Sequence, residues 1–298
     1  MDTLVTILLD GLQYSSYLFI VSVGLTIIFG VMKILNVAHG SFYVWGAYTA
    51  AFFIGKFSKM GWPDPFGFVI IFLAAIAVGL VLGLILERGL LRFMYHRDEV
   101  LIVLATFGAF LVLEDVILLV FGVNPYFAFQ PMTYLGSVEI GGITRDWYGL
   151  SLILVSTIVA LVCWYVLNRT KWGDILKAVI YDREISVAMG INVTMVYIVT
   201  FVGGAMLGAL GGAYIAPTVS VAPGFGIDII VLSFAVVVIG GMGSIEGALI
   251  GSILIGLLRA VAVHEFPQIE LFVVYAVMAI VLVFRPEGLF APEKQRKI

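Results

Sequence analysis

Residues 172–192 read WGDILKAVIYDREISVAMGIN. The stretch decides the fold by contrast with its flanks. Segments 147–168 and 194–216 carry no charge, and each has the length of roughly 20 residues that an apolar helix needs to cross a bilayer. Between them stand Asp174, Lys177, Asp182, Arg183 and Glu184. Two membrane spans are therefore joined by a polar piece shaped to meet something soluble.

Working outward, the same uncharged windows recur. They cover 11–32, 34–55, 65–86, a run from Val100 interrupted by Glu114 and Asp115, 147–168, 194–216, the short segments 229–245 and 247–258 around Glu246, and 271–284. The chain is 62% apolar and 12% charged, with mean hydropathy +1.15, whereas soluble domains carry about 25% charged residues. The expectation is an all-α polytopic membrane protein of about eight to nine transmembrane or partly re-entrant helices. The two short segments and the polar start of the second window are candidates for half-helices, which are tolerated where protein or a cavity covers them.

Several classes are excluded. A membrane β-barrel would show alternating segments of about ten residues, not continuous apolar runs. No basic stripe exists for nucleic acid, and net charge is −3. The single cysteine, Cys163, rules out an internal disulfide or a cysteine metal site. His39, His96 and His264 stand in different loops, so neither a metal nor a cofactor is expected. Met1-Asp2-Thr3 lacks a basic n-region, which argues against a cleaved signal peptide.

Lys and Arg orient the spans. With nine crossings and an outer N-terminus, twelve of the sixteen cations lie inside and Lys56, Lys59, Arg145 and Arg259 lie outside. The positive-inside rule then makes loop 170–193 and the C-terminus cytoplasmic. The longest outer stretch, 121–146, has turn signals at Asn124-Pro125 and Gly141-Gly142. It reads equally as a docking surface for an external partner or as a structured connector.

Within the cytoplasmic loop, Asp182 is an N-cap candidate, with Arg183 and Glu184 opening a short helix. Ile185, Ala188 and Met189 form an apolar stripe, and Gly190 is the stop. The stripe fits a groove in a partner, or its own protein or lipid headgroups.

Glu184-Ile185-Ser186-Val187-Ala188-Met189-Gly190 resembles the E-A-A-x-x-x-G coupling loop of ABC importer permeases, with Ile185 and Ser186 in place of the alanines. Gly24-Leu25-Thr26 through Asn36-Val37-Ala38-His39-Gly40-Ser41 resembles the "GLT…FG…N-x-AHG" segment of the branched-chain amino-acid permease family. Ala188 to Asn192, Gly240-Gly241-Met242-Gly243-Ser244-Ile245-Glu246-Gly247 and Arg285-Pro286-Glu287-Gly288-Leu289-Phe290 are similar to its "A-x-x-x-GIN", "GGxGSxxG" and "RPxGLFG" motifs, with Ala291 replacing the last glycine. The matches run in family order from near residue 10 to 291. The resemblance implies a type II ABC importer-like bundle, with 1–298 forming one permease domain of the shorter family type. It implies partners too: ABC ATPase subunits, a second and different homologous permease chain, an external solute-binding protein and the lipid bilayer of the bacterial cytoplasmic (inner) membrane. Hydrolysis would belong to the ATPase, since no Gly-Lys-Ser/Thr follows any glycine run. The implied function is import of branched-chain or related amino acids.

Asn36, His39, Gly40 and Ser41 interrupt an apolar pattern and need interior partners. They read as a transport path or dimer seam, or as an N-cap and turn served by Asn36 or Ser41. Gly240, Gly241, Gly243 and Ser244 read as a helix break whose N–H groups meet an anion, or as close packing. For packing, Gly243, Gly247 and Gly251 repeat at i, i+4, i+8, as do Gly204, Gly208 and Gly212. Glu114 and Asp115 support an alternative, an ion-coupled secondary transporter, or else a hydrogen-bonded interior or snorkelling pair.

Overall fold

The computed structural model describes residues 2–95, 97–140 and 142–290; His96, Gly141, Ala291 and the tail cations Lys294, Arg296 and Lys297 lie outside them. In chain order the elements are α1 (Asp2–Met32), α2 (His39–Lys59), α3 (Phe66–Gly89), α4 (Glu99–Phe121) and α5 (Gln130–Leu135). Strands β1 (Ser137–Ile140) and β2 (Ile143–Asp146) follow. Then come α6 (Trp147–Arg169), α7 (Lys171–Tyr181), α8 (Arg183–Ala188), α9 (Val193–Ile215), α10 (Gly226–Gly240), α11 (Ile245–Glu265) and α12 (Glu270–Phe284). Helix dominates because an apolar segment in lipid must satisfy its backbone within itself.

Six described helices are long and apolar enough to cross a membrane: α1, α3, α4, α6, α9 and α11. The expected eight to nine also counted shorter and partly re-entrant helices, and these six alone do not confirm it. The shorter apolar helices are α10 and the Phe272–Phe284 part of α12. The short segments expected on either side of Glu246 divide earlier: α10 ends at Gly240, and α11 is one helix of 21 residues. Glu246 stands in its first turn, where the helix dipole favours a carboxylate, so the charge opens the helix. Glu114 and Asp115 likewise leave α4 unbroken, and Glu114 Oε1 faces Gly226.

The core sits where α9 meets α1, α2 and α3. Lipid offers no hydrophobic drive between helices, so contact depends on small residues that admit close backbone approach. Gly204 on α9 faces Gly24 and Ile28 of α1, Gly212 abuts the Tyr43 backbone of α2, and Gly79 of α3 abuts Met206. A second contact joins α1 to α11, where Gly256 abuts Ser15 and Gly11 meets Leu257.

The elements sort their ends onto two faces. On the N-terminal face Asp10 of α1 accepts from Arg145 of β2, and His264 Nε2 lies 2.9 Å from its other oxygen. His264 is thus in the last turn of α11, not in a loop. The opposite face holds α7, α8 and the turn between α10 and α11, which meets Gly30 near the end of α1 through Gly243. Segment 121–146 is structured and not purely helical: β1 and β2 form an antiparallel hairpin with Ser137 opposite Asp146. Tyr126 pairs with Val221 through both backbone hydrogen bonds, at 2.9 and 3.0 Å.

Candidate functional site

Loop 170–193 is two helices, α7 and α8. Sequence reading gave the second and missed the first. Thr170 caps α7 by accepting from the Gly173 N–H at 3.4 Å. A side chain at Gly173 would collide with the carbonyl of Leu167, so this glycine permits the sharp turn off α6. Leu176 and Val179 are buried, and α7 packs on α6, α1 and α9.

Asp182 is the N-cap of α8: its Oδ1 accepts from the Ile185 N–H at 2.9 Å. The C-terminal end closes as a Schellman motif. Gly190 N–H donates to Val187 O and Ile191 N–H to Ser186 O, both at 3.0 Å, with Gly190 at φ +84°. That conformation favours glycine. Both ends are therefore fixed, and Ser186 is buried. The apolar residues point away. Ile185 is 59% exposed, Val187 56% and Met189 78%, with Ala188 also exposed. The expected stripe of Ile185, Ala188 and Met189 is exposed, and Val187 is exposed on another side of the helix. The stripe lies neither on its own protein nor on another described helix.

The helix is tied to the bundle by aromatic and ionic contacts. The Arg183 guanidinium lies over the Tyr197 ring of α9, 5.7 Å from its centroid. Tyr197 packs edge-on against Tyr95 at 5.1 Å, and Tyr95 Oη donates to the buried Glu87 Oε1 of α3 at 2.6 Å. Burial, with the bond to Glu87, pushes the Tyr95 phenol well above its ordinary pKa. Arg88 Nε lies 3.4 Å from Glu87 Oε2. This chain from α8 to α9 and α3 was not legible in the sequence; the one signal was an acidic residue, Glu87, just after the end of an apolar window.

Asn36, His39, Gly40 and Ser41 are all buried. His39 Nε2 lies 3.0 Å from Val21 O and must donate to it. The ring fills the space between Gly24 and Gly208. Val21 stands about 16 Å before the end of α1 by helix rise, so segment 33–38 folds back into the bundle as a re-entrant turn. Neither Asn36 nor Ser41 caps α2; the N-cap is Ala38, without a side-chain bond. Backbone bonds Asn36 O to His39 N and Ala38 O to Ser41 N close the turn. Thr106 of α4 steadies it by accepting from Val37 N–H at 3.2 Å.

Gly240, Gly241, Gly243 and Ser244 form the turn on the α8 face. Gly240 and Gly247 abut backbone to backbone, and Gly251 faces Val236 O. Gly243 is not on the α11 face with Gly247 and Gly251, because it lies in the turn at φ +92° against Gly30. Ser244 caps α11 through the Gly247 N–H at 3.0 Å. Leu289 and Phe290 N–H donate to Ile239 and Gly240 O, both at 2.9 Å. The turn is thus locked against the segment after α12.

Residues 7–282 match the family described as "Branched-chain amino acid transport system / permease component". The chain belongs to this family. The permease is 26% identical over 297 residues to the high-affinity branched-chain amino acid transport system permease protein BraD of Pseudomonas aeruginosa, covering 98% of this chain and 97% of that one. It is 24% identical over 299 residues to the corresponding permease protein LivH of Escherichia coli strain K12, covering 97% and 96%. In fold it is similar to a chain of the structure "PsaBC from Streptococcus pneumoniae in complex with Fab", with TM-score 0.51, 16% identity and coverage of 97% and 92%. As a permease component it is a multi-pass membrane protein of a transport system, not an enzyme.

Proposed function

We propose that this permease is one of two membrane subunits of an ATP-driven importer for branched-chain or related amino acids, and that α7–α8 seat a cytoplasmic ATPase subunit. One observation carries this reading: α8 is capped at both ends yet exposes Ile185, Val187, Ala188 and Met189. A rigid, unpartnered apolar ridge beside Arg169, Lys171, Lys177 and Arg183 suits a groove in a soluble protein. The same cations favour the cytoplasmic side for this face. An external binding protein then delivers solute at the N-terminal face, between this chain and a different, homologous permease, in a bacterial cytoplasmic membrane.

In this mechanism the ATPase pushes on α8 as nucleotide closes it. Arg183, Tyr197, Tyr95 and Glu87 pass the displacement to α9 and α3. The glycine-mediated contacts of α9 allow helices to shift with little side-chain rearrangement. Asn36–Ser41 and Gly240–Ser244 act as packed pivots of that motion.

The test is uptake by the intact complex in proteoliposomes. Leucine accumulation should require internal ATP and survive collapse of proton and sodium gradients. Uptake that persists without ATP and stops with an ion gradient would establish the ion-coupled alternative, with Glu114 and Asp115 as its first suspects.

A further inference from the structure

On the N-terminal face α1, α6, α10 and α11 line an open chamber of about 730 Å³, within the range of roughly 300–1,000 Å³ typical of small-molecule sites. Its floor is closed by Tyr17 and Tyr43, whose hydroxyls hydrogen-bond at 2.7 Å. One wall is Arg259 of α11. Its guanidinium stacks on Tyr14, 4.0 Å from the ring centroid, and its Nη2 donates to Glu270 Oε1 at 3.3 Å. Its Nε is buried and has no hydrogen-bond partner among the described residues. The side chain as a whole lines the chamber and stays 26% exposed, so an anion there would meet a charged donor. Gln13 Nε2, also in the lining, is buried and unmatched as well. The lining holds three carboxylates: Asp10, bonded to Arg145 and His264; Asp146, which caps α6; and Asp228 in the first turn of α10; Ile229 and Leu232 add an aliphatic surface.

We propose that this chamber is a solute site within a single permease subunit, and that it holds a free amino-acid zwitterion. The carboxylate pairs with Arg259, the ammonium with Asp228, and an aliphatic side chain rests on Ile229 and Leu232. The Tyr17–Tyr43 bond keeps the floor shut beneath it. The inference rests on the importer reading above. An ethanolamine phospholipid headgroup shares the anion–ammonium chemistry, so the test must separate the two.

The experiment uses the intact complex of this chain, its partner permease and the ATPase, in nanodiscs without binding protein, with tritiated L-leucine as probe. Wild type should bind leucine saturably, displaced by unlabelled leucine and not by leucinol, which lacks the carboxylate. Arg259→Gln and Asp228→Asn should each weaken binding about tenfold or more, the effect of losing one charged hydrogen bond. Because Arg259 also pairs with Glu270, Ile229→Trp serves as a second probe that fills the chamber and leaves every charge in place; it should weaken binding as much. Binding should be equal in phosphatidylcholine discs with and without phosphatidylethanolamine.

The site is overturned if the complex retains its ATPase but binds no leucine saturably, or if all three variants bind like wild type. It is also overturned if phosphatidylethanolamine abolishes the signal, which would mark a headgroup pocket. Loss of the ATPase from the wild-type complex is a separate outcome that sinks the importer reading and leaves the leucine measurement to decide the chamber.

Discussion

The guanidinium of Arg183 on α8 lies over the ring of Tyr197 on α9, 5.7 Å from its centroid. It links the exposed ridge to the most central helix of the bundle. An exposed cation–π contact is worth about 0.5–1 kcal/mol, so Tyr197→Leu should lower stability by no more than about 1–2 kcal/mol once lost ring packing is included. Its effect on coupling should be larger: ATP hydrolysis by the assembled complex continues while leucine moved per ATP drops several-fold. Parallel hydrolysis and flux measurements on proteoliposomes check this. Equal losses in both would mean the contact is only structural.

Asp182→Ala removes the N-cap of α8 and should cost about 1 kcal/mol locally. The change is confined to one short helix, so the global melting temperature should hardly move. Amide exchange over 183–190 should accelerate about fivefold. Asp182→Asn, which keeps an acceptor, should exchange like wild type.

Gly203 and Gly204 are neighbours on α9 with opposite surroundings. A Cβ at Gly204 would meet Ile28 and the Gly24 carbonyl within 2.7 Å, whereas one at Gly203 meets nothing within 4 Å. Gly204→Ala should destabilise by about 1–3 kcal/mol through overpacking. Gly203→Ala should be neutral or stabilise by up to about 1 kcal/mol through helix propensity. Thermal unfolding in detergent separates them; identical shifts would contradict the close approach of α1 and α9.

Lys33 occupies the position after α1 at φ +55°, a left-handed conformation costly for a side chain bearing a Cβ. Lys33→Gly should therefore raise stability by about 1 kcal/mol. An unchanged or lower melting temperature would show that the Lys33 ammonium over Phe29, at 5.7 Å, outweighs the backbone cost.

The sequence was legible where one local rule acts alone. Long uncharged windows locate the main spans. The Asp182 cap and the Gly190 stop follow from short-range hydrogen bonding and appear as read. The failures involve competition between rules. Glu246 looks like an interruption on a hydropathy scale but is a favourable first-turn residue once Ser244 caps the helix. Helix α7 was hidden because an interfacial amphipathic segment has no uncharged window to announce it. The hairpin β1–β2 escaped because four-residue strands in a polar connector carry little periodicity. His39 was visible as an anomaly, yet its seat between Gly24 and Gly208 depends on three helices distant in sequence. The chamber on the N-terminal face was illegible for the same reason: Tyr14, Asp228 and Arg259 meet only after the bundle closes.

Docking of an ATPase on α8 is tested by a mild-detergent pull-down of the permease from its native membrane, comparing wild type with the double variant Ile185→Asp, Met189→Asp. Both side chains are exposed, so the variant should insert and melt like wild type. An ATPase subunit should copurify with wild type and be lost from the variant, while the partner permease remains. Undiminished recovery of the ATPase with the variant, or recovery of no ATPase with wild type after gentle crosslinking, would contradict the assignment of α8 as the docking helix.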